Sequence, residues 1–282
     1  MHKAALLIVF GVLSLVVLIY LSFDGSFSAK SPRGAQSIEI INQWDLPDIL
    51  EEVSGIAYMP NGKMACVQDE DGIIFIYNLE SVSLERKIEF ASHGDYEGIA
   101  LVGTTAYVLR SDGTLFEVIN FENDHLKTIE YTLDFSENYN FEGLGYDQRK
   151  NRLLLGIKDE TDDDFKSIYA FDLETKKIID EPVYKIYFNH PVFEKLDMKP
   201  SNKMLQVSEI TIHPDNGKIF ILEAVNPKLL ILDSLGIPEK LYVFKKKQFP
   251  QAEGLTFGPS GELFISNEGR GGSGNILSIS IN

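Results

Sequence analysis

The chain has 282 residues, of which 44% are hydrophobic and 11% aromatic, enough for a substantial core, so disorder is excluded as a description of the whole. Its 42 acidic and 26 basic residues give a formal net charge of −16, which argues against nucleic acid or an anionic membrane surface as partners. Cations or a basic partner are the natural complements, and an acidic surface that serves only solubility is the alternative. The single cysteine, Cys66, excludes an internal disulfide.

The N-terminus begins with an unbroken apolar stretch over residues 4–23. That stretch is long enough to cross a bilayer at ~1.5 Å per residue, and it exceeds the usual apolar core of a cleaved signal peptide, about 7 to 15 residues. We therefore predict a membrane anchor or signal segment over residues 1–25, with an uncleaved anchor favoured over a removed leader. Basic residues precede it, which places the rest of the chain outside the cytoplasm. Residues 26–36, rich in Ser, Gly, Lys and Pro, are predicted to be a linker.

A lone alternating strand is predicted at residues 37–44, ahead of a recurring motif in which Glu is followed by Gly and a short apolar run. Successive starts at positions 54, 97, 142, 209 and 253 are spaced by 43, 45, 67 and 44 residues. The copies are Glu97-Gly98, Glu142-Gly143, Glu209-Ile210 with Ile in place of Gly, and Glu253-Gly254, while Ser54-Gly55 keeps the frame with Ser in place of Glu.

Each unit contains several short strands separated by turns, and periods of 40 to 50 residues with that content are typical of a β-propeller. The last unit ends at Asn282 after its third strand, so it lacks an outer strand. The strand at residues 37–44 can fill that gap and close the ring. The sequence therefore predicts an all-β, five-bladed propeller over residues 37–282, with a six-bladed ring as the alternative.

A cluster of charged side chains is predicted on one rim of this propeller. Antiparallel pairing puts the start of each first strand beside the end of each second strand. Four carboxylates near one axis repel one another unless they are neutralised, and Ca²⁺ suits a loose ring of oxygen ligands. The predicted metal ligands are Glu97, Glu142, Glu209 and Glu253, and the predicted ligand-binding residues at the second-strand ends are Asp69, Arg110, Lys158, Glu223 and Glu268. In the alternative, each Glu caps backbone amides or pairs with Arg110 and Lys158.

Other motifs give weaker signals. The acidic stretch at residues 159–164 lacks the central Gly and closing Glu of an EF-hand, which excludes that motif. No nucleophile elbow or catalytic triad can be assembled, so no catalytic residue is assigned. The long insert at residues 189–206 is predicted to be either a lid over the channel mouth or a passive surface loop.

The ordered set of Glu-Gly-[Ile/Leu] strand openings, the variant Ser208-Glu209-Ile210 and the closing Ser266-Asn267-Glu268-Gly269 resembles the SdiA-regulated (YjiK/CarP-like) family over roughly residues 36–282. This resemblance implies a bacterial propeller with an N-terminal signal or anchor, linked to calcium and without an established catalytic activity. It places the acidic motif on Glu97, Glu142, Glu209 and Glu253, and Ser54 departs from it. The family is also distantly similar to propeller phytases, which use Ca²⁺ in a central channel.

We expect a single-pass inner-membrane protein with its propeller on the periplasmic side. The propeller is expected to bind calcium or a cationic ligand and to act as a sensor or interaction module. A protein partner is a further expectation. A binding module is favoured over an enzyme. A calcium-dependent phosphoesterase is the second interpretation, with Arg110 and Lys158 neutralising phosphate charge. A structural, protein-binding scaffold with a filled channel is the third.

Overall fold

The computed structural model of the chain describes residues 37–133, 135, 139–159, 164–196 and 198–282. These residues form five sheets, each with four strands in antiparallel order. Four of the sheets are built from consecutive strands, and the fifth combines the first strand of the chain with the last three. The predicted five-bladed propeller is confirmed, and the six-bladed alternative is wrong for the described residues.

Within each blade the chain runs from the innermost strand outward. Blade 1 contains β2 (Val53–Met59), β3 (Lys63–Gln68), β4 (Ile73–Asn78) and β5 (Ser83–Glu89), and blade 2 contains β6 (Tyr96–Val102), β7 (Thr105–Arg110), β8 (Thr114–Ile119) and β9 (Lys127–Thr132). Blade 3 contains β10 (Phe141–Asp147), β11 (Arg152–Ile157), β12 (Phe165–Asp172) and β13 (Lys177–Tyr187), and blade 4 contains β14 (Glu209–Ile212), β15 (Ile219–Glu223), β16 (Lys228–Leu232) and β17 (Pro238–Val243). Blade 5 contains β18 (Ala252–Phe257), β19 (Leu263–Asn267), β20 (Asn275–Ile281) and, outermost, β1 (Ile38–Asp45).

The core lies between neighbouring blades, in five separate apolar clusters. Strand β15 shows why its sequence is apolar throughout. Ile219 and Ile221 pack into the cluster shared with blade 3, whereas Phe220 and Leu222 pack into the cluster shared with blade 5. Because successive side chains point to opposite faces of a strand, a strand buried on both faces needs a continuous apolar run.

The ring is closed by β1, which pairs antiparallel with β20 so that Ile38 lies opposite Ile281. This is the closure predicted from the missing outer strand, with bounds one residue later than expected. Trp44 donates its indole N–H to the backbone oxygen of Leu79 over 2.8 Å, so β1 is also bonded to blade 1. The strand that completes blade 5 thus stabilises the junction with its neighbour as well.

The insert at residues 189–206 contains two short 3-10 helices, Pro191–Leu196 and Asn202–Met204. Phe193, Met204 and Leu205 are buried in the cluster between blades 3 and 4. The insert is therefore part of the core rather than a passive surface loop.

Among the described residues, no helix is long and apolar enough to span a membrane. The predicted span at residues 4–23 and the predicted linker lie outside the described part of the chain. Residues 160–163 of the acidic stretch lie outside it as well.

Candidate functional site

Charged side chains gather where the innermost strands begin. We call Glu97, Glu142, Glu209, Glu253 and Lys158 the acidic hub. Glu142 and Lys158 form its central contact, with 2.6 Å between Oε1 and Nζ. The carboxyl of Glu142 also accepts a hydrogen bond from Asn140 Nδ2 over 3.1 Å. Only 2% of Glu142 is exposed, compared with 26% of the Lys158 side chain, so the carboxylate of this ion pair is buried while Lys158 reaches the rim.

Three of these glutamates lie at β-bulges. In blade 2, Tyr96 pairs with Arg110 and Gly98 with Leu109, so Glu97 has no partner residue on β7. The register also shifts in blade 3 around Glu142 and in blade 5 around Glu253. A bulge leaves its extra residue unpaired and redirects the side chain, which frees these carboxyls from the sheet.

The glycine after each bulged glutamate is required by the close approach of neighbouring inner strands. A Cβ atom on Gly98 would lie 2.7 Å from the Cβ of Leu144 in the next blade, and one on Gly143 would lie 2.9 Å from Ile210 Cγ1. Such contacts are too short for carbon atoms without a backbone shift. The Glu-Gly pair is thus a geometric unit, in which the bulge redirects the acid and the glycine lets the strands converge.

Blade 4 departs from this pattern. Glu209 pairs with Leu222 and no bulge interrupts β14, so Glu209 takes the register of Gly98 rather than that of Glu97. The residue equivalent to the bulged glutamate is Ser208, which donates to the backbone oxygen of Ala252 over 3.0 Å. Ser54 makes the corresponding bond to Tyr96 in blade 1. The expected equivalence of Glu209 with the other three glutamates is therefore wrong by one residue.

Glu209 is nevertheless part of the hub. Its Oε1 accepts backbone N–H bonds from Leu144 over 2.6 Å and from Ile210 over 2.8 Å, which is the capping role proposed as the alternative. Its Oε2 is buried and has no hydrogen-bond partner among the described residues. Burial, with Glu253 and Glu142 adding to it, raises the pKa of Glu209 well above its ordinary value.

The hub holds several acids and one base. Burial is the main cause that raises the pKa of Glu97, Glu142 and Glu253, and the charge of neighbouring glutamates adds to it for Glu97 and Glu142. Burial lowers the pKa of Lys158, but Glu142, Glu253 and Glu97 outweigh it, so the net shift is upward. Three carboxyls thus share the ammonium of Lys158, and Arg270 acts in addition on Glu253, so there are fewer bases than acids.

The five predicted ligand-binding residues divide into two sets by strand register. Asp69, Lys158 and Glu268 each follow directly after the last residue of a second strand, whereas Arg110 and Glu223 are themselves last residues. Alternation along a strand sends adjacent side chains to opposite sides. Only the first set therefore points toward the axis, where Lys158 and Glu268 interact with hub glutamates and Asp69 lies among other acids.

The contacts agree with that division. Arg110 pairs with Asp112 over 2.8 Å, and Glu223 forms a buried ion pair with Lys228. Burial raises the pKa of Glu268 to about 8, helped by Glu253 and Asp69. The structure thus brings Glu268 and Lys158 to the acids and leaves Arg110 and Glu223 in local ion pairs, and a ligand-binding role for these five residues stays a prediction.

Asp69 lies in a neighbouring acidic patch. Burial raises its pKa to about 6, and Glu52, Asp95 and Glu70 contribute in the same direction. Its Oδ1 is buried and has no hydrogen-bond partner among the described residues. The rim around the hub is therefore negative as well.

A polar residue two positions before each of the equivalent Glu or Ser residues was not recognised from the sequence. Asn140 bonds to Glu142, and the Gln251 side chain bonds to Glu253. The signal is a polar–apolar–[Glu/Ser] triplet in all five blades. The triplets are Glu52-Val53-Ser54, Asp95-Tyr96-Glu97, Asn140-Phe141-Glu142, Gln206-Val207-Ser208 and Gln251-Ala252-Glu253. Alignment on this triplet also gives the correct frame for Ser208.

The fit of the hub to a metal ion is partial. The buried Oε2 atoms of Glu142 and Glu209 are oxygens without a hydrogen-bond partner among the described residues, as cation ligands would be. In the described part of the chain, however, no three Asp, Glu, His or Cys side chains are close enough together to hold a metal ion. The ammonium of Lys158 is the positive group at this point of the structure.

Several solved structures share the fold. Glutaminyl cyclase from Myxococcus xanthus superposes with a TM-score of 0.56 at 14% identity, covering 88% of this chain and 97% of that one. The PQQ-bound aldose sugar dehydrogenase from Streptomyces coelicolor gives 0.52 at 13% identity, covering 88% and 98%. Identities this low show similarity of fold alone. No curated protein matches the chain.

The family comparison is more specific. The model of the SdiA-regulated family matches residues 35–270, a range that includes every strand except β20 and every residue of the acidic hub. The chain belongs to the SdiA-regulated family.

Proposed function

We propose that the propeller is a non-catalytic binding module whose acidic hub takes a divalent cation, with Ca²⁺ as the first candidate. The observation behind this proposal is the excess of acids over bases in a buried space, where four carboxyls are accompanied by the ammonium of Lys158 and, at Glu253 only, by the charge of Arg270. The free Oε2 atoms of Glu142 and Glu209 offer oxygens that nothing else in the described chain uses.

Protons and Lys158 would hold the hub together without a cation. Because the pKa values of the hub glutamates are raised, these groups keep protons at neutral pH that free glutamates would lose. A divalent cation supplies two positive charges and prefers ionised oxygens. Its binding would release protons and displace the ammonium of Lys158 from Glu142, which couples binding to a movement at the rim. Such coupling suits a sensor or interaction module.

Calorimetric titration of the full chain in detergent micelles tests this proposal. Ca²⁺ should bind with saturation at pH 7, and the apparent heat should differ between buffers of different protonation enthalpy because protons are released. Glu142→Gln should weaken binding about tenfold or more, equivalent to ~1.4 kcal/mol. Glu117→Gln is the matched control, since Glu117 is also a buried, ion-paired carboxyl but lies outside the hub.

Three results would count against the proposal: no saturable heat, equal weakening by both variants, or an affinity that ignores pH between 6 and 8. The same preparation distinguishes the other interpretations. Ca²⁺-dependent turnover of a phosphate ester that is lost in Glu142→Gln would favour a phosphoesterase. Absence of both binding and turnover would favour a scaffold.

We also propose that residues 4–23 anchor the propeller outside the cytoplasm, on the periplasmic side of the inner membrane. The support is the length of this apolar stretch and the basic residues before it. Intact cells exposed to protease after permeabilisation of the outer membrane only should lose the propeller. Protection until the inner membrane is lysed would contradict this orientation.

A further inference from the structure

A cavity of about 640 Å³ lies on the propeller axis, where the innermost strands end, on the rim opposite the acidic hub. Five buried side chains of equivalent register line the end of the cavity nearest the hub, which we call its floor. They are Ile56, Ile99, Leu144, Ile210 and Leu255, one from each blade. The floor is thus apolar, and no residue of the acidic hub lines the cavity.

The walls combine aromatic surface with backbone polar groups. Tyr58, Tyr146 and Phe257 line the cavity and are only partly buried. Each innermost strand pairs on one edge only, so backbone N–H and C=O groups of its free edge face the axis. A cavity of this size that combines apolar surface with polar groups has the character of a small-molecule site.

The charge at the mouth is positive, in contrast to the rest of the molecule. Asp147 is the only acidic residue in the lining, and Arg152 neutralises it over 3.0 Å. Arg149 also lines the cavity, and its guanidinium donates to the backbone oxygens of Asp215 over 2.7 Å and Asn216 over 3.1 Å. Neutral carbonyls hold Arg149 in place without cancelling its charge.

His213 adds a second donor at the mouth. Its Nδ1 accepts a hydrogen bond from the backbone N–H of Asp215, so in the neutral ring the proton is on Nε2. The ring packs against Phe257, with 4.8 Å between centroids. A hydrogen-bond donor and a guanidinium thus lie beside an aromatic wall.

We propose that this cavity binds a small organic anion with an apolar ring or chain as its body. The apolar floor and aromatic walls would take the body, and Arg149 with His213 would take the acidic group. On a chain with a net charge of −16, anions are repelled from most of the surface. Arg149, whose charge is not neutralised, therefore favours an acidic ligand at this apolar mouth. The acidic hub on the other rim would repel the same ligand.

Binding of 2-naphthoate to the full chain in lipid nanodiscs tests this inference, with empty nanodiscs as the blank. One saturable site per chain is expected by calorimetry, and the neutral analogue 2-naphthamide should bind about tenfold more weakly, as expected for loss of a charge-assisted hydrogen bond. Arg149→Gln should weaken naphthoate about tenfold and leave naphthamide unchanged. Lys150→Gln is the matched control, because Lys150 is on the same turn but bonds to Tyr184 instead of lining the cavity.

A second variant tests the cavity without changing any charged residue. Thr211 is half-buried in the cavity wall, so Thr211→Trp should fill the space and abolish binding of both probes while the melting temperature stays close to that of the wild type. Absence of saturable binding would overturn the inference, as would naphthoate binding unaffected by Arg149→Gln and Thr211→Trp. Glu142→Gln should leave naphthoate binding unchanged, so this outcome is separable from that of the Ca²⁺ titration.

Discussion

Lys158→Met removes the one ammonium group of the acidic hub while keeping an unbranched apolar stem. In the wild type, Nζ lies 2.6 Å from Oε1 of Glu142, a residue only 2% exposed. Removing one partner from a buried ion pair costs about 3–5 kcal/mol if the other stays charged. Glu142 can escape part of that cost by taking up a proton, so the loss of stability must depend on pH.

The sign of that dependence follows from proton binding. A carboxyl with a raised pKa holds a proton in the folded state that it loses in the unfolded state, so the free energy of unfolding falls as pH rises through this interval. In the wild type this fall levels off above pH 8, because the pKa of Glu142 is about 8. Without Lys158 that pKa rises further, so the fall continues to higher pH at up to ~1.4 kcal/mol per pH unit. We expect the penalty of the variant to be nearly constant from pH 6 to 7 and to grow by about 1.4 kcal/mol between pH 7 and 9.

Thermal unfolding of the full chain in micelles without Ca²⁺, followed by circular dichroism, measures this difference. For a domain of this size 1 kcal/mol shifts the melting temperature by about 2–4 °C, so the loss caused by Lys158→Met should grow by about 3–6 °C between pH 7 and 9. Lys176→Met is the control, because Lys176 pairs with the buried Glu117 at 2.5 Å outside the hub. Although burial acts to raise it, the pKa of Glu117 is lowered, chiefly by Lys176, Tyr107 and Tyr131.

Glu117 should therefore stay ionised from pH 7 to 9, and the cost of Lys176→Met should be nearly constant over that range. A Lys158→Met penalty that is equally flat from pH 7 to 9, or absent at pH 9, would refute the assignment of Lys158 as the shared counter-charge of the hub.

Three further outcomes follow from the site and the fold. Without Ca²⁺ the wild type should lose stability from pH 5 to 8, because the pKa of Glu268 is raised to about 8, and Glu268→Gln should flatten that profile in denaturant titrations. Gly98→Ala should cost about 1–3 kcal/mol through its 2.7 Å contact with Leu144, whereas Gly103→Asn, at a positive φ with open space around it, should cost under about 1 kcal/mol in the same titrations. Trp44→Phe should lower stability by about 1 kcal/mol by removing the bond to blade 1, and an unchanged midpoint would contradict that role.

The fold could be predicted from the sequence because the strand and turn patterns that specify each blade are local and occur once in every repeat. Turn residues recur at near-constant intervals, and the absence of a fourth strand after β20 predicted the closing role of β1, which the register of Ile38 with Ile281 confirms. The core role of the insert was not accessible in that way. Phe193 and Met204 belong to the cluster between blades 3 and 4, and a contact between segments so distant in sequence leaves no periodic signal.

The candidate site was predictable as a place but not in its details. Glu209 was aligned with the other glutamates because it is a Glu at the start of a similar motif. Its register depends on whether the strand contains a bulge, which is decided by pairing with β15 and is not visible in the motif. The different side-chain directions of Arg110 and Lys158 could have been predicted from the sequence. The prediction needs only the alternation of side chains along a strand, applied to the ends of β7 and β11. The sequence analysis placed both residues on one rim but did not apply this alternation.

The five equivalent positions also explain why the hub is uneven around the axis. In blades 1 and 4 they hold Ser54 and Ser208, whose hydroxyls are used up in bonds to the backbone of the next blade. In the other three blades they hold glutamates, which exceed the positive charge that Lys158 supplies. Five carboxyls in this space would multiply the repulsion, whereas five serines would leave no charge to balance. Two of the five positions thus join neighbouring blades through hydrogen bonds, and the other three carry carboxyls that need additional positive charge. A cationic ligand of the hub would supply that charge.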